Sequence, residues 1–192
     1  ALNLDAAQIE DVYPLAPTQE GMLLHSMASA GSGLYVNQLS VEVRQIEPQR
    51  FARAWKAMVE RHAILRTGFL WREGMARPLQ LVFRQVASEV EQFDWRSAHG
   101  AGDAGAADTV QRLAAYEEQA LAAPIDWMRP PLSRVALIRL EDDRYQLVWT
   151  RHHILSDGWT DSRLMGEWLR TYAGEALDAR PPVYGDYVRW LQ

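Results

Sequence analysis

There is no cysteine among these 192 residues, so disulfides and thiol nucleophiles are both excluded. No apolar run approaches the ~20 residues that a membrane-spanning helix needs, and the start of the chain has neither the basic segment nor the apolar core of a signal peptide. Basic residues are scattered without a Lys/Arg stripe and the formal net charge is -5, which argues against nucleic acid as a partner. Internal repeats and charge tracts are absent too. The first residue is not Met, and the expectation is a piece cut from a longer polypeptide in the cytoplasm.

What is present suffices for a packed core: 48% of the residues are hydrophobic. Two prolines in Asp11-Val12-Tyr13-Pro14-Leu15-Ala16-Pro17 suggest an extended opening strand, followed by a short helix from a Thr18 cap to Met27. Alternation over Tyr35 to Val43 predicts a strand. Phe51, Ala54, Trp55, Met58, Val59 and His62 form one stripe of a helix begun at Pro48. Strands are predicted over Thr67–Trp71, Leu79–Phe83 and Val90–Phe93, and a surface loop over Ala98–Ala107. A helix capped by Asp108 or Thr109 should end before Pro124. The strand Leu132–Leu140, apolar on both faces, should be central and form an antiparallel hairpin with the next. His25 reads as a partly exposed polar residue, His62 as a satisfied core histidine, and His99 as an idle surface one.

Chemistry concentrates in Arg151-His152-His153-Ile154-Leu155-Ser156-Asp157-Gly158-Trp159-Thr160. The aromatic and β-branched residues before it predict a strand, and Leu164, Met165, Trp168, Leu169 and Tyr172 after it predict an amphipathic helix. Alternation along a strand puts His153 on the face of Leu147 and Trp149, and His152 on the opposite face with Val148 and Thr150. One histidine can therefore face a cavity as a proton acceptor while the other packs and fixes the loop. Asp157 is close enough to orient an imidazole or pair with a buried cation, and Gly158 would allow close approach. A structural histidine is the ordinary alternative for either ring. With no cysteine and no second His cluster at ligand spacing, no metal is expected.

His152 to Gly158 fits the HHxxxDG signature, and the chain resembles a condensation domain of nonribosomal peptide synthetases. Three more segments resemble that family's motifs in order. Tyr13 to Met27, with Gln19 and Met22, resembles the first, with Glu20-Gly21 where many members have x-Arg. Arg61 to Phe69 resembles RHxxLRTxF, with Ala63 for the usual Glu. Tyr184 to Trp190 resembles Tyr-x-Asp-Phe/Tyr-x-x-Trp. The Val-Asn-Thr motif that should follow is absent, so the resemblance implies the N-terminal lobe alone over 1–192, with 174–192 a linker and terminal helix leading toward a missing C-terminal lobe.

The resemblance implies an α/β (α+β) two-layer, chloramphenicol-acetyltransferase-like lobe: a mixed β-sheet covered by helices. It implies amide bond formation between a donor thioester and an acceptor α-amine, each on the 4'-phosphopantetheine arm of a peptidyl carrier protein, with an adenylation domain as neighbour and no cofactor bound by the chain itself. His153 is then the residue nearest the amine and His152 its packed neighbour. Asp157 would pair with Arg66, with Arg61 as further support. Gly158, Trp159, Gln19 and Ser156 would border the substrate tunnel. The Gln-Glu-Gly-Met form resembles the branch whose donors end in a D-residue, and also epimerisation domains, although Gly158-Trp159-Thr160 in place of Ser-Trp-Arg favours condensation. A same-fold acyltransferase using a soluble acceptor or coenzyme A, and a noncatalytic docking lobe, are the other readings.

Overall fold

A computed structural model describes residues 5–29, 31–96, 103–177 and 180–191. The longest run of cross-strand pairing organises it. Strand β2 (Val36–Arg44) lies antiparallel to β7 (Arg144–His152) along its whole length, from Val36 opposite His152 to Arg44 opposite Arg144. On its other side β7 pairs with β6 (Ser133–Arg139) in the expected antiparallel hairpin, and β6 pairs in parallel with β5 (Val90–Asp94). The sheet order β2-β7-β6-β5 is mixed, with the doubly apolar β6 inside it.

Helices cover both faces of this sheet. Alternation turns Tyr145, Leu147 and Trp149 to one side, where α2 (Pro48–Arg61) and α4 (Gly158–Ala173) supply Phe51, Trp55, Leu164 and Trp168. The Trp149 ring centroid lies 6.2 Å from that of Trp55 and 6.1 Å from that of Trp168. Trp149 meets both rings edge-on, Trp55 and Trp168 lie tilted on each other, and burying the three indoles together stabilises this face beyond the area they hide. Val148, Ala136 and Ile138 face the other way, against Leu113 and Tyr116 of α3 (Asp103–Ala122).

A second, antiparallel sheet was not foreseen from the sequence. Its order is β1-β4-β3, formed by β1 (Ile9–Pro14), β4 (Leu79–Phe83) and β3 (Thr67–Leu70). Between its strands run α1 (Pro17–Ala28) and, after α2, a 3-10 turn Ala63–Arg66. The closing helix α5 (Tyr184–Trp190) buries Val188 against Tyr13 and Val82 of this sheet. A Cβ at Gly185 would come 2.9 Å from the Tyr13 ring, so only glycine lets α5 approach β1 this closely.

Two local expectations differ. The chain from Asp103 to Ala107 belongs to α3 rather than to a loop, because an alanine-rich run favours helix strongly enough to override its single glycine. His99 and the rest of that predicted loop, 98–102, lie outside the described residues. In α1 the cap position is Ala16, not Thr18: Pro17 occupies the first helical turn, where its missing N–H costs nothing. No helix among the described residues is long and apolar enough to cross a membrane.

Candidate functional site

The site is where β7 stops. His152 is its last residue, and the next turn leads through Ser156 to Asp157, the N-cap of α4. The two histidines part as alternation predicts. His152 is 1% exposed. The Ile154 backbone N–H donates to its Nδ1 at 3.1 Å, so Nδ1 offers a lone pair, and the ring hydrogen on Nε2 is given to Ser26 Oγ of α1 at 3.0 Å. Trp127 meets the ring edge-on, centroids 4.9 Å apart. His152 thus ties the turn to α1 as a neutral ring.

Burial pushes the His152 pKa down to about 4, against a hydrogen bond to the Leu34 backbone and with some help from the charge of His153. Unfolded, the ring titrates near 6.5, so between these values the unfolded chain holds a proton that the folded chain does not. The stabilisation is complete above pH ~6.5 and is lost as pH falls toward 4, about 3 kcal/mol in all. His62, also lowered chiefly by burial, adds a slope of the same sign. Relative to wild type, His152→Gln should therefore cost about 2 kcal/mol less at pH ~4.5 than at pH ~7, by urea unfolding. Equal costs at both pH values would remove His152 as the source.

His153 leaves the strand. Its backbone N–H donates to Tyr35 O at 2.7 Å, and its half-buried ring borders an open cavity of about 680 Å³. Gln19, His62, Ser156, Asp157 and Trp159 also line this cavity. Trp159 is 88% exposed at its rim. Gly158 begins α4 but is not among the lining residues, and a Cβ there would meet nothing within 4 Å. Gln19 borders the cavity and also acts as a brace. Its Oε1 accepts from Ala16 N and Gln80 Nε2, and its Nε2 donates to Ile154 O at 3.1 Å, joining α1, β4 and the histidine turn.

The ion pair expected between Asp157 and Arg66 does not form. Asp157 is exposed, and its Oδ1 accepts from Thr160 N at 2.8 Å. Capping its own helix occupies the carboxylate and, through the hydrogen bonds to Thr160, holds it below the usual carboxylate range. Arg66, at the end of the 3-10 turn, points to the other sheet, where it pairs with Glu10 at 2.6 Å and donates to Phe83 O. The buried pair at the turn is instead Arg151 with Asp161, whose side chains are 11% and 12% exposed. Asp161 Oδ1 also accepts from Ser156 Oγ at 2.5 Å, and the Arg151 guanidinium lies 4.1 Å from the Trp149 ring centroid. Arg61 lies at the end of α2. It donates to Glu167 at 2.9 Å, as does His62, which pins α2 to α4 below the cavity.

Arg151 and Asp161 escaped sequence reasoning, but a signal for them existed. Alternation places Arg151 on the face of Trp149, under α4, and a cation there needs a carboxylate from that helix.

A model described as "Condensation domain" matches residues 9–192. A linear gramicidin synthase of Brevibacillus parabrevis is 41% identical over 190 residues, covering 96% of this chain and 4% of that protein. The EpoB nonribosomal peptide synthetase cyclization-docking bidomain from Sorangium cellulosum superposes with TM-score 0.78 at 24% identity, over 99% of this chain and 38% of its own. The first condensation domain of the CDA synthetase gives TM-score 0.75 at 19% identity, over 94% of this chain and 45% of its own. The chain spans 4% of the gramicidin synthase and less than half of each solved chain, and the two structures establish a shared fold.

Proposed function

The chain belongs to the condensation-domain family of nonribosomal peptide synthetases, whose reaction is amide bond formation, and from this premise we propose that it is the N-terminal lobe of one such domain, holding half of the catalytic site. The observation that carries this reading is His153 on the wall of an open cavity, beside a tryptophan left 88% exposed. A second lobe closing over the cavity would cover Trp159 and turn the cleft into a tunnel. Trp190 of α5, 79% exposed and stacked on Tyr187, is another large apolar side chain awaiting cover.

The chemistry joins two thioesters. The α-amine of the acceptor adds to the thioester carbon of the donor, an oxyanion develops, and the carrier thiolate leaves. Both substrates arrive on 4'-phosphopantetheine arms of peptidyl carrier proteins in the same cytoplasmic synthetase, next to an adenylation domain, and meet at His153. Gln19-Glu20-Gly21-Met22 supports a donor ending in a D-residue. His152, Gln19, Arg61 and the Arg151–Asp161 pair hold the turn. Asp157, Gly158 and Trp159 start α4 at the cavity.

Donor-loaded and acceptor-loaded carriers should give condensed product, detected by mass spectrometry, with the intact two-lobe domain and none above background with the 192-residue chain. Aligning two reactants is worth roughly 7 to 11 kcal/mol, and one wall cannot supply it. Product from the chain alone at a comparable rate would sink the half-site reading. Equal product from a soluble amine or coenzyme A acceptor would replace carrier-bound condensation with simple acyl transfer.

A further inference from the structure

A residue on β2 decides what the His153 ring can do. Asn37 lies opposite Arg151 in the β2–β7 register, next to the Val36–His152 pair after which His153 enters the turn. Its side-chain Nδ2 is 3.2 Å from His153 Nδ1. Two positions earlier on the same segment, Tyr35 O holds the His153 backbone N–H. Ring and backbone are thus both fixed by one neighbouring segment.

An amide NH2 can only donate, and a ring nitrogen that accepts it cannot carry the hydrogen of a neutral imidazole. Nδ1 is then the lone-pair nitrogen and the hydrogen sits on Nε2. Among the described residues nothing in the protein bonds to Nε2, and the ring borders the cavity. The neighbouring carboxylate, Asp157, accepts from Thr160 N, and no hydrogen bond joins it to the ring among the described residues.

We propose that Asn37 is a positioning residue that holds His153 as the Nε2–H tautomer, so that the ring serves condensation as a hydrogen-bond donor to the donor thioester's carbonyl oxygen and not as a base toward the amine. The proposal rests on the function given above. As the amine lone pair forms the C–N bond, the carbonyl π pair moves to oxygen, where Nε2–H meets the growing charge. The C–S bond then breaks, its electron pair leaves with the thiolate sulfur, and the proton lost by the new ammonium nitrogen ends on that sulfur. An amide and a free thiol result, and His153 returns with the proton it began with. No base is required, because a thiolate is a good enough leaving group to depart before an amine must be deprotonated by the protein.

Histidine-labelled chain, studied at about pH 8 by two-bond proton–nitrogen spectra and assigned with His153→Gln, should show His153 with Nδ1 unprotonated. Asn37→Asp, which can only accept, should move the hydrogen to Nδ1. In the intact two-lobe domain the same substitution should lower kcat about 10²-fold with the acceptor-carrier KM within about threefold, as expected for a lost oxyanion donor, while Asn37→Gln restores part of the rate. A wild-type ring protonated on Nδ1, a tautomer unchanged in Asn37→Asp, or a kcat within about twofold of wild type would each overturn the proposal. Failure of the two-lobe domain to condense anything would overturn the proposed function and with it the oxyanion role, whereas the tautomer is settled by the spectra alone.

Discussion

Asp161→Ala is expected to destabilise the chain by about 3 to 5 kcal/mol, the usual consequence of leaving one member of a buried ion pair without the other. The substitution strands the Arg151 guanidinium, whose side chain is 11% exposed, and takes away the acceptor of Ser156 Oγ. Its place over the Trp149 ring keeps the guanidinium under α4. Against a total stability of about 5 to 15 kcal/mol, such a loss removes a large share of it. Asp157→Ala removes only an exposed cap and should cost about 1 kcal/mol. Urea unfolding of the two variants decides the matter. A larger loss from Asp157 than from Asp161 would return the structural role to the signature aspartate.

His153→Ala in the intact two-lobe domain should lower product formation at least about 10²-fold, the effect of deleting one oriented donor to an oxyanion. Its half-buried ring makes one side-chain hydrogen bond, to Asn37, so the unfolding free energy should stay within about 0.5 kcal/mol of wild type. His152→Gln should behave in the opposite sense near neutral pH. It removes a fully buried ring that joins the turn to α1, and the cost falls on folding. Single-turnover rates with loaded carriers, set beside unfolding curves, separate the two. Near-normal turnover by a folded His153→Ala domain would take this residue out of the reaction.

Period and spacing along the chain were enough for a good deal of this. Trp149 and Leu147 alternate with Val148 and Thr150, and that period puts His152, the last residue of β7, on the face away from Trp149, while His153 follows in the turn at the cavity. The stripe from Phe51 to Val59 specifies the face of α2, and the apolar run of β6 its central place. Such features are local: each depends on residues a few positions apart.

The partners of the site depend on elements far apart in the chain, and only the tertiary structure decided them. Asp157 and Asp161 are one helical turn apart, and either could reach a cation on β7. The rotation of α4 about its axis selects Asp161, and that rotation is set by Leu164 and Trp168 packing onto Trp55 and Trp149. Arg66 turns to Glu10 because a 3-10 turn separates it from α2 and directs it to the second sheet, whose existence depends on β1 pairing with a strand some seventy residues later. Asn37 reaches His153 only through the β2–β7 register, a pairing across more than a hundred residues. By itself the sequence determined the elements, their buried faces and the signature. Which side chains meet was left to long-range packing, since a contact between distant segments is specified by the shape of the whole core and not by the period of any one segment.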